Sequence, residues 1–230
     1  MTDLFLLPFA GGTSLTYRDW TFPQTVNVIP LDYKGHGFRM KERLCDTFEE
    51  MVCDIAEQVR QKSQGNDIAV FGHSMGGLVA WDAAGKLEDE GIRISHVIIS
   101  ACLPPHLFSE KKYSVMATDA WLKDFLTTYG RIRPEKMESA FFRKTLYPAI
   151  RNDYRLISIH PHGEIRKQSL NLACFYGRQD EMMPSEGMDQ WKDYTDRRFV
   201  LQGFQGSHFY IEDESNREEV MTAIVSFIAG

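Results

Sequence analysis

The sequence has no long hydrophobic run, few cysteines and no excess of positive charge. No apolar stretch among its 230 residues approaches the roughly 20 residues that span a membrane. The opening residues, 1–8, have no basic leader, and their apolar run is too short for a signal peptide. These absences predict a soluble, cytoplasmic protein that has no membrane partner.

The cysteines and the net charge exclude further classes of function. The four cysteines stand singly, without the C-x-x-C spacing of a metal or redox site, so we expect reduced, packed thiols. They are Cys45, Cys53, Cys102 and Cys174. The formal net charge is −6, whereas general nucleic-acid binding usually needs a basic surface. We therefore expect neither a cysteine-bound metal nor a nucleic-acid partner.

What the sequence does contain is a glycine-rich turn between a short apolar run and a helical pattern. Residues 68–71 are apolar, and residues 72–77 read Gly-His-Ser-Met-Gly-Gly. This order predicts that Ser74 lies on a sharp strand-to-helix turn, a nucleophile elbow, where Gly72 and Gly76 allow the strand and helix to pass closely. The alternative is a plain glycine-rich turn whose serine caps the helix.

Apolar runs and helical periodicities alternate along much of the chain. Thr47 with Glu50, and Ser215 with Glu218, have the spacing of capping boxes that begin helices. Another helix is predicted from the elbow to Gly91. This alternation predicts an α/β fold in one domain, residues 1–230, with a mostly parallel central sheet flanked by helices. The predicted strands are 4–7, 26–31, 68–71, 97–102, 170–176 and 199–201.

The alternation stops at residues 104–160, where only helical patterns occur. Helices are predicted at 119–129, at 134–147 and after Pro148. A helical insertion between strands can form a lid over a nucleophile on this kind of sheet. We expect most of its apolar side chains to form the lid's own core and a minority to line an acyl pocket. They are Leu107, Phe108, Met116, Trp121, Leu122, Phe125, Leu126, Phe141, Phe142, Leu146 and Tyr147.

Two later residues complete a candidate catalytic triad with Ser74. Asp180 lies in the loop after the strand 170–176, with Glu181 as the alternative acid. His208 is the only histidine after Pro184 and follows the last predicted strand. The order serine, acid, histidine is that of the α/β-hydrolase fold. His36 is interpreted as a loop residue, because it lies between two glycines and His208 is better placed.

These residues predict acyl transfer. Serine is a weak nucleophile unless a base accepts its proton and an acid holds that base in one tautomer. The backbone N–H groups of Met75 and Ala10, with Phe9 as the alternative to Ala10, are the candidate oxyanion hole. A plain turn is the alternative for the Gly-rich segment that contains Ala10. This chemistry requires no metal and no cofactor.

With these motifs in place, the chain resembles the type II thioesterases, the stand-alone editing enzymes of nonribosomal peptide and polyketide biosynthesis. Residues 7–12 (Leu-Pro-Phe-Ala-Gly-Gly), 72–77 and 206–209 (Gly-Ser-His-Phe) match the family's motifs. Residues 147–154 (Tyr-Pro-Ala-Ile-Arg-Asn-Asp-Tyr) are similar to its lid motif, Pro-x-Leu/Ile-Arg-x-Asp-Phe/Tyr. The loop after the second strand departs from the family, since Lys34 replaces a proline and His36 an arginine.

The resemblance implies hydrolysis of acyl or aminoacyl thioesters on the phosphopantetheine arm of acyl or peptidyl carrier proteins, through an acyl-serine. Residues 104–160 contain ten lysines and arginines against six aspartates and glutamates, a net charge of +4, so the remainder carries −10. We expect this basic lid to attract an acidic carrier protein and its phosphate. The alternatives are a carboxylesterase or lipase-like hydrolase and a non-catalytic hydrolase-fold binding protein.

Overall fold

The computed structural model describes residues 1–108, 116, 118–128, 132–161 and 165–230. Six strands form one sheet: β1 (Thr2–Leu7), β2 (Val26–Pro30), β3 (Asp67–His73), β4 (Ile94–Ser100), β5 (Asn171–Gly177) and β6 (Phe199–Phe204). Their order is β2-β1-β3-β4-β5-β6, and every neighbouring pair is parallel. The six predicted strands are confirmed, and their carboxyl ends share one edge of the sheet.

Helices connect the strands and cover the sheet. They are α1 (Phe48–Lys62), α2 (Met75–Asp89), α3 (Asp119–Thr128), α4 (Pro134–Met137), α5 (Tyr147–Ser158) and α6 (Glu214–Ile228). The Thr47 hydroxyl caps α1 by accepting from the N–H of Glu50 at 3.0 Å. Within the described ranges, no helix combines the length and apolarity needed to cross a membrane.

The predicted start of the last helix at Ser215 is wrong. The helix α6 begins at Glu214, and Asp213 is its N-cap. Ser215 therefore lies inside the first turn, where its side chain cannot act as the cap. The error is small because Asp213 and Ser215 are both residues that favour helix starts.

Both faces of the sheet are buried, because successive residues of β1 belong to two different cores. Phe5 and Leu7 pack in a core with α1 and α2, whereas Leu4 and Leu6 pack in a second core with α6. All four side chains are fully buried. This two-sided burial explains why β1 reads as a continuous apolar run rather than an alternating one.

The lid predicted at residues 104–160 lies between β4 and β5, and its described part contains α3, α4, α5 and no strand. The predicted helix over 134–147 is interrupted, because α4 ends at Met137 and the Ser139 hydroxyl accepts the N–H of Phe142 at 3.1 Å. A π-helical turn, Phe142–Leu146, then leads directly into α5. The end predicted for the first lid helix, at residues 129–130, lies outside the described residues.

The apolar side chains of the lid divide into a buried and an exposed set. Buried side chains include Phe108, Met116, Leu122, Phe125, Leu126 and Phe142. Exposed ones are Leu107, Phe141, Leu146 and Ile159, and Phe141 is 56% exposed. The lid therefore has an apolar interior and leaves a few apolar side chains at its surface.

Candidate active site

Ser74 occupies the sharp turn between β3 and α2. Its backbone is in an unusual conformation for a residue other than glycine, with φ +55° and ψ −118°, and its N–H donates to the carbonyl of Ser100 at 2.7 Å. A Cβ atom at Gly72 would overlap the carbonyl of Gly76, and one at Gly76 would lie 2.5 Å from the carbonyl of Leu7. The glycines are therefore needed for the close approach, and the Ser74 hydroxyl does not cap α2.

The three residues predicted as a triad meet at the carboxyl edge of the sheet. His208 Nε2 lies 3.0 Å from Ser74 Oγ, and His208 Nδ1 lies 2.8 Å from Asp180 Oδ2. The side chains of His208 and Asp180 are buried, whereas Ser74 is partly exposed. Since a carboxylate only accepts, His208 Nδ1 carries a proton and Nε2 is left to accept one from the serine hydroxyl.

Backbone groups fix the orientation of the Asp180 carboxylate. Its second oxygen, Oδ1, accepts the N–H groups of Met182 and Met183, each at 2.9 Å. These bonds aim Oδ2 at His208 and satisfy the buried charge. Glu181, the alternative acid, is solvent-exposed. The geometry therefore selects Asp180 as the partner of the histidine.

A buried chain of hydrogen bonds begins at His73, the residue before Ser74 in the elbow. His73 Nδ1 lies 2.7 Å from Ser100 Oγ, which lies 2.6 Å from the hydroxyl of Tyr210. Burial raises the pKa of Tyr210 above its usual range, so the phenol stays neutral. Sequence reasoning missed this chain. The available signal was position alone, because His73 precedes Ser74 and Tyr210 follows His208 by two residues.

Hydrogen bonds to its carbonyl groups hold the loop after β1, residues 8–12, in place. Tyr33 donates its hydroxyl to the Pro8 carbonyl at 2.8 Å, and the N–H of Gly12 donates to the Phe9 carbonyl at 2.8 Å. One residue earlier, the Leu7 carbonyl accepts the hydroxyl of Tyr17 at 2.7 Å. We refer to residues 8–12 as the β1 loop.

The candidate oxyanion donors face no competing acceptor in the described part of the protein. There, neither the N–H of Ala10 nor that of Met75 donates to another protein group. The close approach of Gly76 to the carbonyls at the start of the β1 loop brings this loop against the elbow. Phe9, the alternative to Ala10, contributes its buried ring to a contact with His73, with ring centroids 6.0 Å apart.

Aromatic rings link the lid to the histidine of the site. The ring of Phe209 lies 4.9 Å from the His208 ring and 5.1 Å from that of Phe9, between centroids. On the lid side, Phe125 of α3 lies 6.4 Å from Phe209 and stacks on Trp121 at 4.9 Å. A continuous series of aromatic contacts therefore extends from the triad into the lid.

The structure places His36 in a loop, as interpreted from the sequence, but its ring is buried and paired. His36 Nε2 lies 2.9 Å from Asp153 Oδ2, and both side chains are almost fully inaccessible to solvent. Sequence reasoning missed Asp153, although the lid motif that contains it had been recognised as a resemblance. An acidic residue within that motif was the signal that could have pointed to a buried partner.

The cysteines and other metal-binding residue types do not converge in the described ranges. There, no group of three or more His, Cys, Asp or Glu side chains could hold a metal ion. All four cysteines are free thiols, and three of them are buried. Burial raises the pKa of the Cys45 thiol to about 12, so this thiol is protonated at neutral pH.

Comparisons with known proteins identify the family of this chain. A family model described as a thioesterase domain matches residues 2–228. Linear gramicidin dehydrogenase LgrE of Brevibacillus parabrevis is 28% identical, covering 96% of this chain and 85% of its own. Thioesterase PikA5 of Streptomyces venezuelae is 25% identical, covering 92% and 76%. The solved RedJ thioesterase from the prodiginine biosynthetic pathway of Streptomyces coelicolor is 26% identical, with a TM-score of 0.86, covering 97% and 89%.

One of these relatives is named a dehydrogenase, but this chain lacks the sequence signature of dinucleotide binding. The sequence contains no G-x-G-x-x-G pattern, and β1 is followed by the β1 loop and a 3₁₀ turn, Ser14–Tyr17, rather than by the helix that such a site needs. The family match instead spans the elbow, the acid loop and the histidine loop. The chain belongs to the thioesterase domain family.

Proposed function

We propose that the chain is a serine thioesterase that removes acyl or aminoacyl groups from the phosphopantetheine arm of carrier proteins in the cytoplasm. The observation that carries this proposal is the hydrogen-bonded array of Ser74, His208 and Asp180 in a member of the thioesterase family. In this proposal residues 1–230 form one α/β-hydrolase domain, with the lid at 104–160 inserted between two strands.

In the first half of the reaction the acyl group moves to the enzyme. Ser74 Oγ attacks the thioester carbon while His208 Nε2 takes the hydroxyl proton, and Asp180 stabilises the imidazolium. The N–H groups of Met75 and Ala10 stabilise the negative oxygen of the tetrahedral intermediate. The carbon–sulfur bond then breaks, and the departing sulfur receives the proton from His208. The products are acyl-Ser74 and a free phosphopantetheine thiol.

In the second half water releases the acid. His208 removes a proton from water as the oxygen attacks the acyl carbon, and the same N–H groups stabilise the second tetrahedral intermediate. Collapse of this intermediate breaks the ester bond and returns the proton to Ser74 Oγ. The steps balance without a metal or an organic cofactor, since only proton transfer and acyl transfer occur.

Two features of the lid favour a substrate that is an acyl group attached to a carrier protein. The aromatic rings of Phe209, Phe125 and Trp121 make the surroundings of the triad apolar, which suits an alkyl or aryl acyl group. A cleft of about 730 Å³ near α4 is lined by Arg133, Lys136 and several apolar side chains. Cationic groups of this kind favour a phosphorylated arm and an acidic protein surface.

A comparison of three substrates tests the proposal. The enzyme should hydrolyse an acyl-carrier protein with a higher kcat/KM than the matching acyl-CoA or an aryl ester of the same acid. The Ser74→Ala variant should lose turnover of all three. A strong preference for the aryl ester would contradict the thioesterase proposal in favour of a carboxylesterase, and full turnover by Ser74→Ala would contradict the serine mechanism.

Charge reversal tests the carrier protein as the partner. Arg133, Lys136, Arg143 and Lys144 are exposed on the described part of the basic lid, and we propose changing them together to glutamate. The quadruple variant should have a lower kcat/KM for acyl-carrier protein than wild type but an unchanged kcat/KM for a small acyl thioester. The difference between variant and wild type should become smaller at high salt. Lys192→Glu with Arg197→Glu, two exposed charges outside the lid, is the control. Equal loss on both substrates would contradict this role. Lys111 and Lys112, which also count toward the basic charge of residues 104–160, lie outside the described residues.

A further inference from the structure

The carboxylate of Asp153 lies where the lid helix α5 meets two loops of the sheet. It is fully buried, and its Oδ2 atom accepts the N–H of Gly11 at 2.7 Å. The same oxygen lies 2.9 Å from His36 Nε2 in the loop after β2. Gly11 directly follows Ala10, the candidate oxyanion donor. One carboxylate therefore connects the lid helix α5 to the residue next to Ala10, whose N–H is the candidate oxyanion donor.

A second contact between the same face of α5 and the β1 loop is made by an apolar side chain. Ile150, three residues before Asp153, packs on Gly11, where an added Cβ would lie 2.5 Å from Ile150 Cγ1. Gly11 has φ +75°, which a glycine adopts without strain. Because Gly11 is held from one side by packing and at its N–H by Asp153, a shift of α5 would also move Ala10.

The surroundings of His36 favour a doubly protonated ring. His36 Nδ1 lies 3.0 Å from the carbonyl oxygen of Lys34, while Nε2 faces the Asp153 carboxylate. The carbonyl only accepts, and Asp153 Oδ2 also accepts the N–H of Gly11, so beside an ionised Asp153 each ring nitrogen donates. We assign the pair as a buried imidazolium and a carboxylate, because the oxygen that faces His36 also accepts a hydrogen bond from Gly11.

The charges around His36 agree with this assignment. Burial by itself would lower the pKa of His36, but the Asp153 carboxylate and, more weakly, that of Asp32 outweigh it and raise the pKa to about 9. The phenol of Tyr33 packs edge-on against the ring at 5.8 Å, and burial keeps its pKa well above the usual range. The groups that face His36 are thus two carboxylates and a neutral phenol.

We propose that Asp153, held by the His36 imidazolium, is a positioning residue that sets the β1 loop for oxyanion stabilisation. It fixes the N–H of Gly11 and thereby the orientation of the neighbouring Ala10 N–H, without touching the substrate. This role rests on the proposed function. It also makes turnover depend on docking of α5, since the lid helix supplies the carboxylate.

The first test separates positioning from folding through a pair of substitutions at one site. Asp153→Ala removes the acceptor for Gly11 and should lower kcat about tenfold to a hundredfold with little change in KM, because the oxyanion interaction forms in the transition state. Asp153→Asn keeps an acceptor oxygen and should recover kcat to within about threefold of wild type. The probe is an S-acyl-N-acetylcysteamine thioester, which needs no carrier protein.

The chain offers a matched control in another histidine–aspartate pair. His160 Nε2 lies 2.9 Å from Asp82 Oδ2, and among the described residues neither side chain makes a hydrogen bond to the β1 loop. Asp82→Ala should leave kcat within about twofold of wild type. An equal loss of kcat in Asp82→Ala and Asp153→Ala would overturn the proposal, as would unchanged kcat in Asp153→Ala.

The second test uses pH and does not depend on the alanine variant. Wild-type kcat should fall as pH rises through about 9, because His36 then loses one of its two donated hydrogen bonds. His36→Arg stays charged and should remove this alkaline limb, while Asp82→Ala should retain it. Identical alkaline limbs in wild type and His36→Arg would overturn the role of His36. If Ser74→Ala kept its activity, the proposed function itself would fail, whereas an inactive Ser74→Ala beside a fully active Asp153→Ala would refute only the positioning role.

Discussion

Two buried histidine–aspartate pairs of nearly equal length are suited to different tasks. His208 pairs with Asp180 at 2.8 Å, and His36 pairs with Asp153 at 2.9 Å. The difference lies at the other ring nitrogen. That of His208 faces the hydroxyl of Ser74, whereas that of His36 faces the carbonyl of Lys34.

This difference determines which histidine can act as a base. A hydroxyl can give up a proton, so His208 Nε2 can remain unprotonated and accept one. A carbonyl cannot, so His36 Nδ1 must keep its proton, and Nε2 is already paired with Asp153, which leaves no ring nitrogen to accept a proton from a serine. A short distance to an aspartate therefore does not identify a catalytic histidine. The partner of the second nitrogen does.

The largest expected effect comes from replacing each histidine by glutamine. His208→Gln should lower kcat by about 10⁴- to 10⁶-fold, because it removes the proton acceptor of Ser74. His36→Gln should lower kcat only about tenfold, because a neutral amide holds Asp153 less firmly. The measurement is steady-state hydrolysis of an S-acyl-N-acetylcysteamine thioester. Comparable losses in the two variants would contradict the assignment of separate tasks.

The same substitution in the two aspartates should sharpen the contrast. Asp180→Asn can donate its amide to His208 Nδ1 and so favour the tautomer with a proton on Nε2, which cannot accept from Ser74. We expect kcat to fall by about 10³- to 10⁴-fold, against about threefold or less for Asp153→Asn. The kcat values of both variants, with folding checked by circular dichroism, provide the test. A loss of less than tenfold in Asp180→Asn would be incompatible with the proposed triad.

A smaller effect concerns stability, and its sign follows from the raised pKa of His36. The folded-state pKa is about 9 and the ordinary value is 6.5, so the favourable pairing is complete below about pH 6.5 and is lost as pH rises through about 9. The free energy of unfolding should fall by on the order of 3 kcal/mol across this window.

Urea unfolding of wild type and Asp153→Asn between about pH 6 and about pH 10 measures this effect. The variant should show a flatter dependence on pH, since it lacks the carboxylate that raises the pKa most. Parallel curves for the two proteins would show that the buried pair does not govern the alkaline loss of stability.

The elements that position the site could be predicted from the sequence because their signals are local. The strands are continuous apolar runs, and the elbow has glycines where β3 and α2 cross, at Gly72 and Gly76. Asp180 and His208 could be assigned because each lies in a loop directly after a strand and the chain order fixes their roles. Parallel strands then place these loops at one edge of the sheet.

The pairing of His36 with Asp153 could not be predicted, because the two residues are 117 positions apart and meet only through the docking of α5. Taken locally, His36 is a loop residue and Asp153 is one polar position in an amphipathic helix. The break between α4 and the π-helical turn was missed for another reason. Ser139 caps the following segment, and a serine in a helical pattern gives only a weak signal of a new start.

The most direct measurement is the rate at which a fluorophosphonate, a reagent for activated serines, modifies the protein, with the site identified by mass spectrometry. The account predicts one adduct on Ser74 in wild type, an adduct at most about tenfold slower in His36→Gln, and negligible reaction in His208→Gln. Modification of a different residue, or equal rates in His208→Gln and wild type, would contradict it.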